Sequence, residues 1–321
     1  MTRNGEHTMN DAERDLQALL GWATAVLGPC HAEAGDGRIH GRSWVVRLAA
    51  ETGARAYLKR HSEHANWANE AYASEHWAPA FGGLAPRLLA AHAQEPLALL
   101  LSEVPGSTMR AVPLSPEQQR AAWHAAGQAL VALHALPVAP QFGFCQRDGA
   151  PAPTSPARPA AASSEAVAFV RAELDEWTGS ARLMRFDAAE RRTLAAAHEL
   201  AAAFAGEPPV ACHRDYNPYN WQVAAGGAWS GVIDFEFARR DVRMAEFSRY
   251  PDWEWHRQPE LPAALLEGYG LTLTARERTQ LWVAQVQYAS AAVTWGAENA
   301  FDTYAGEGHA SLALLAQTRP A

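Results

Sequence analysis

Cysteine is scarce in this chain of 321 residues: Cys30, Cys145 and Cys212 are far apart and odd in number. This excludes a disulfide framework and a zinc site built from thiolates, and it fits a reducing cytoplasm. Long apolar runs are lacking as well. No stretch approaches the roughly 20 apolar residues that cross a bilayer, so no membrane association is expected. The opening MTRNGEHTMNDAERD is too polar and too mixed in charge for a signal peptide. Basic residues are in the minority, 27 Lys and Arg against 35 Asp and Glu, for a net charge of -8. That balance counts against a nucleic acid partner, because a phosphate backbone selects basic surfaces. It suits a cationic ligand, or simply a surface kept soluble by charge. No Gly-x-x-x-x-Gly-Lys-Ser/Thr segment occurs, which excludes a P-loop enzyme.

What is present is a folded composition, 48% hydrophobic and 19% charged, enough for a sizeable core. Residues 11–27 repeat apolar side chains at helical spacing behind an acidic start. WVVRLAA (44–50) and ARAYLKR (54–60), joined through Glu51-Thr52-Gly53, read as an antiparallel hairpin. Residues 64–80 read as a helix, and residues 86–93 and 97–104 as two further strands. After Pro105-Gly106 the pattern turns helical, with helices predicted at 116–137, 165–178 and 187–205. A low-complexity stretch at 150–164 reads as a surface loop. Residues 210–237 read as short strands and loops, with helix again beyond. The fold class expected is therefore α+β and bilobal: an antiparallel-sheet lobe over 1–104 and a mainly helical lobe over 105–321, hinged near 101–106. Ligand clefts favour such junctions.

The chemistry concentrates in CHRDYNPYNWQVAAGGAWSGVIDFEFA, residues 212–238. Phosphoryl transfer needs an acceptor hydroxyl held in line, metal across the phosphates and positive charge nearby. Asp215, in a turn, can orient and deprotonate a hydroxyl. Asn220, five residues later, and Asp234, at the end of an apolar strand, offer the oxygen ligands that magnesium prefers. Pro218 stiffens the loop between them.

His213-Arg214-Asp215 with Asn220, followed by Ile233-Asp234-Phe235-Glu236, resembles the aminoglycoside phosphotransferase and choline kinase family, relatives of the protein kinases with a protein-kinase-like fold. The resemblance implies ATP and Mg²⁺, with His213 supporting the loop, Asp215 as base, and Asn220 and Asp234 on the metal. It also implies that Lys59 holds the phosphates and that a helix carboxylate braces it. Glu70 is the choice for that brace, with Glu75 and Glu63 as rivals. Gly41 and Ser43, with Gly35 and Gly37, would cover the phosphates, and backbone groups from Ser102 to Val104 would meet the adenine. Two positions depart from the family pattern: Arg214, where a small residue is usual, and Asn217, where a histidine is. Glu246 stands where the family often has an aspartate; it either braces the catalytic loop or is an ordinary helix carboxylate, and the second reading is preferred.

His-Arg-Asp alone would also suit a protein kinase. However, Asp234 is followed by Phe-Glu instead of Phe-Gly, and no Ala-Pro-Glu follows, so a small-molecule acceptor is expected. A catalytically inactive kinase-like binding protein would lack one of the key groups, and all are present. A metal hydrolase, suggested by thirteen histidines and pairs such as His61/His64, lacks a nearby third ligand. Helix-surface positions explain those histidines better. Tryptophans and acids in the last third suggest an amine-bearing acceptor through cation–π contact and charge pairing. The candidates are Asp252, Glu254, Trp255, Glu298 and Asp302, although tryptophans at helical spacing are more often core. A hydroxylated small molecule, preferably a cationic antibiotic, amino sugar or amino alcohol, is expected to meet a monomer or homodimer.

Overall fold

A computed structural model of the chain describes residues 4–33, 38–40, 43–153, 165–249 and 257–320. Helix α1 (Asn4–Leu27) precedes a six-stranded antiparallel sheet. Its strands are β1 (Cys30–Ala32), β2 (Arg38–His40), β3 (Ser43–Ala50), β4 (Arg55–His61), β5 (Leu88–His92) and β6 (Ala98–Ser102), with spatial order β1-β3-β4-β6-β5 and β2 also on β3. The expected hairpin is β3–β4, turning at Gly53 with φ 83°, a conformation open to glycine without strain. Strands β1 and β2 were not expected. Each is three residues long and exists by pairing with β3, a partner that local pattern does not reveal.

Both faces of the sheet are covered, so its inner strand β6 is apolar on each side. Ala98 and Leu100 pack with Leu48, Leu58, Leu19 and Ala23 on the α1 face. Leu97, Leu99 and Leu101 pack with Trp67, Ala68 and Ala71 of helix α2 (His64–His76). Alternation along β4 sends Leu58 to the α1 face, and so turns Lys59 and His61 toward α2. The helix expected to reach residue 80 ends at His76, and a 3-10 turn follows over Ala78–Phe81 with Pro79 inside it, which has no amide hydrogen to continue an α-helix.

The second half is helical: α3 (Pro116–His134), α4 (Ala166–Thr178), α5 (Ala188–Leu200), α6 (Glu260–Tyr269), α7 (Ala275–Glu298) and α8 (Asp302–Gln317). Reciprocal capping starts α3 through Ser115 and Gln118, α5 through Asp187 and Glu190, and α7 through Thr274 and Glu277. Helices α3 and α6 cross at glycine. A Cβ on Gly127 would stand 2.1 Å from the Leu265 carbonyl oxygen, and one on Gly268 2.0 Å from that of His124. Trp282, one of the tryptophans of the last third, is core, 4% exposed, with Nε1 donating to the Leu315 carbonyl.

Two small antiparallel units carry the loops of interest. β7 (Ser107–Thr108), β9 (Trp221–Val223) and β10 (Trp229–Val232) form one, and β8 (Val210–Cys212) with β11 (Arg239–Asp241) the other. The two halves also touch away from the chain crossing. The Val232 N–H donates to the Leu84 carbonyl at 2.9 Å; within the second half, Ser230 Oγ donates to the Pro105 carbonyl at 2.7 Å. The segment after β11, expected to be α-helical at MAEFSRY, is a 3-10 turn over Arg243–Arg249. Among the described residues, no helix is long and apolar enough to cross a membrane, and the three cysteines are unpaired.

Candidate active site

The turn from β8 to β9 holds residues 213–220, and the turn leaving β10 holds Asp234. Backbone and side-chain bonds weld the two turns together. The Ile233 N–H donates to the Asn220 carbonyl at 2.9 Å, and His213 Nε2 donates to the Ile233 carbonyl at 3.1 Å. His213 Nδ1 in turn accepts the Asp215 N–H at 3.2 Å, which fixes the imidazole tautomer. Arg214 and Asp234 both have left-handed backbones, φ 65° and 71°. Such conformations are costly away from glycine and concentrate at functional sites.

Two side-chain amides grip the Asp215 carboxylate. Asn217 Nδ2 donates to Oδ1 at 2.7 Å and Asn220 Nδ2 donates to Oδ2 at 2.8 Å. Asn217 also accepts the Tyr219 N–H through its own oxygen at 2.9 Å, so the departure from histidine here gives an amide that orients Asp215. Asn220, donating through nitrogen, keeps its amide oxygen as a ligand atom.

Across the cleft, β4 presents Lys59 to three carboxylates: Asp234 at 2.7 Å, Glu70 at 2.8 Å and Glu236 at 3.1 Å. Burial alone would lower the ammonium's pKa. Asp234, then Glu70 and Glu236, outweigh it and hold the group charged, well above its ordinary value. Burial would likewise raise Glu70, but Lys59 and then His61 bring it down to about 2. Glu236 is raised, chiefly by burial, with Asp234 and Glu70 as like charges and Lys59 opposing.

Glu70 is thus the carboxylate that meets Lys59. Glu75 pairs with Arg147, and Glu63 lies next to Asn66. His61 is not on a helix surface: it ends β4, is 1% exposed, and brings Nε2 to 3.1 Å from Glu70. His64 lies tilted against Trp67 at the start of α2, ring centres 5.2 Å apart. One residue escaped the sequence reading, and a second takes the role that reading had placed second. Glu236 lies two positions beyond Asp234, across the buried Phe235, and the turn that follows brings its carboxylate back to Lys59 at 3.1 Å. Glu246 is 0% exposed and is no ordinary helix carboxylate. It accepts the N–H groups of His213 at 2.5 Å and Arg214 at 2.7 Å, and so braces the loop from behind.

The remaining candidates fall elsewhere. Ser102 ends β6 and its hydroxyl accepts the Arg87 N–H. Val104 is buried, and a Cβ on Gly231 would stand 2.7 Å from it. Ser43 opens β3, paired with His61. Glu298 is engaged by Arg182 and Arg185, each at 2.9 Å, which leaves its charge already matched. Asp302 is exposed in the first turn of α8. Gly35, Gly37, Gly41, Asp252, Glu254 and Trp255 lie outside the described residues.

A lysine–glutamate pair under a sheet, facing an aspartate–asparagine loop and a second aspartate, marks the kinase class of transferases. The profile of the phosphotransferase enzyme family matches residues 36–282, and the chain belongs to that family. A search of curated proteins gave no match. Among solved structures, a thermostable mutant of aminoglycoside phosphotransferase APH(4)-Ia in its apo form is similar, at 13% identity and TM-score 0.70, covering 93% of this chain and 98% of that one. The same relative is known in ternary complex with ADP and hygromycin B. The GDP complex of aminoglycoside 2'-phosphotransferase-IIIa aligns at 11% identity and TM-score 0.63, over 98% of this chain and 99% of that one. Macrolide 2'-phosphotransferase type I aligns at 17% and 0.60, over 93% and 97%. At such identities the likeness establishes the α+β bilobal kinase-like fold.

Proposed function

We propose that the protein transfers the γ-phosphate of ATP to a hydroxyl group of a small molecule, with magnesium. The observation that carries the reading is the connected set Lys59–Asp234–Ile233–Asn220–Asp215, which joins both halves of the molecule through bonds of 3.0 Å or less. Residues 1–104 form the nucleotide lobe and residues 105–321 the catalytic and acceptor lobe. The pairing of β7 with β9 supports that division.

In this reading Lys59, braced by Glu70, binds the phosphates. Asp215, held at both oxygens by amides, orients the acceptor hydroxyl and takes its proton. Oxygen donors on Asp234 and Asn220 fit a hard cation, and the magnesium they would hold supplies positive charge across the phosphates. His213 keeps Asp215 in place through the Asp215 N–H. The short stretch from Phe235 to Val242 is occupied by β11, which leaves little room for the long segment on which a protein kinase seats a peptide. The relative crystallised with hygromycin B and the macrolide enzyme make hydroxylated antibiotics, amino sugars and amino alcohols the first acceptors to try.

The test is ATP consumption against a panel of such acceptors, with mass-spectrometric detection of the added phosphate. Asp215→Ala should lower kcat by about 10²–10⁴ with nucleotide affinity preserved. Asp234→Ala should abolish the magnesium dependence of nucleotide binding in calorimetry. Normal turnover by the first variant, or unchanged Mg-ATP affinity in the second, would refute the respective role.

A further inference from the structure

Arg214 occupies a left-handed backbone position, φ 65°, that a glycine would adopt without strain. Its side chain explains the arginine. Nε meets Asp241 Oδ2 at 2.9 Å, and one terminal nitrogen donates to the Ala245 carbonyl. Asp241, 1% exposed, is shared: Oδ2 also accepts Arg239 Nε at 2.7 Å, and Oδ1 accepts the Val242 N–H at 2.7 Å. Arg239 continues to Glu173 of α4 at 2.6 Å, and Glu173 accepts Gln287 Nε2 of α7 at 2.9 Å. The Arg239 guanidinium lies 5.4 Å from the ring centres of both Phe144 and Phe169. Two guanidinium groups thus alternate with two carboxylates on a line running from α7 and α4, through β11, into the base-bearing loop.

We propose that Arg214 is a positioning residue: through Asp241 and Arg239 it clamps the Asp215 loop to the helical core and holds that loop in its working shape. The proposal rests on the kinase reading for its catalytic consequence, but its geometric content stands independently. Burial favours the clamp. A buried charge pair is a poor source of stability compared with apolar packing, while breaking one leaves an uncompensated charge. Such a network therefore specifies a conformation more than it strengthens the fold. Beside it, His134, Cys212 and Glu246 approach closely enough to share a cation. Yet both Glu246 oxygens already accept backbone N–H groups, and burial, then Glu246 and Asp241, pushes the Cys212 thiol well up. That trio is a brace and not a metal site.

The experiment compares wild type with Arg214→Gly, Arg214→Lys, Asp241→Asn and the Arg214→Gly/Asp241→Asn double variant. Hydrogen exchange of peptides spanning 211–220 and 275–298 is measured by mass spectrometry. ADP release from Mg-ATP is followed with a panel acceptor, or with water where none is found. Glycine fits the backbone at 214, so that variant tests the side chain and not the fold. Expected are exchange in 211–220 faster by about tenfold or more with 275–298 unchanged, and kcat down by about tenfold or more at a near-constant KM for Mg-ATP. Partial recovery is expected in Arg214→Lys, and a double variant no worse than the worse single. Arg214→Gly with wild-type exchange and turnover would overturn the proposal, as would single-variant losses that multiply in the double. A wild-type protein that releases no ADP would sink the kinase reading, while exchange in 211–220 would still decide the clamp.

Discussion

Glu70 shows how one side chain ties stability to pH. It is 1% exposed, and its folded-state pKa, about 2, lies below the ordinary 4.5. Its contribution is therefore complete above about 4.5 and is lost as pH falls toward 2, an effect on the order of 3 kcal/mol. Thermal melts between pH 6 and 3 should show the wild-type Tm falling with acid. Glu70→Gln should start lower at pH 6 and fall less steeply, and parallel slopes would contradict the assignment. Sequence made Lys59, Asp215, Asn220 and Asp234 legible because their spacing is local to two loops and one strand end. Glu70 could not be separated from Glu63 and Glu75, since the choice depends on which face of α2 lies under the sheet. Glu246 was misjudged because its role is to accept two backbone N–H groups from a loop 33 and 32 residues away, and nothing local announces that.

At the scale of elements, the crossing of α3 and α6 rests on two glycines with almost no clearance. Gly127→Ala should push the helices apart and destabilise the fold by roughly 1–3 kcal/mol, read from urea unfolding. Gly21→Ala on α1, where a Cβ meets nothing within 4 Å, should instead stabilise by about 0.5–1 kcal/mol. Equal effects at the two sites would contradict the close approach. The long amphipathic helices and the Thr-Gly hairpin could be read from pattern alone. The three-residue strands β1 and β2 could not, because CHA and RIH carry no alternation and depend on β3. The 3-10 segment over Arg243–Arg249 escaped for a similar reason: its shape follows from delivering Glu246 and the Ala245 carbonyl to the base loop.

Across the whole molecule, the two halves meet at Gly231, φ 148°, where a Cβ would stand 2.3 Å from the Leu84 carbonyl. Gly231→Ala should break the Leu84–Val232 bond and raise KM for Mg-ATP several-fold with a lower Tm, both measurable on the purified protein; unchanged values would show that this contact does not set the cleft. The bilobal plan was legible from the change in character after Pro105-Gly106, and the two loops of the candidate site from their motifs. The acceptor was not: Glu298, chosen for its charge, is already matched by Arg182 and Arg185.

The buried lysine of the site is outnumbered. One ammonium faces three carboxylates, Glu70, Asp234 and Glu236, which leaves two negative charges in excess. A bare triphosphate approaching that cluster is repelled, whereas a triphosphate carrying its own divalent ion brings the missing compensation with it. Under the proposed function, such a pocket would discriminate by the counterion that travels with the nucleotide, before any base or sugar is read.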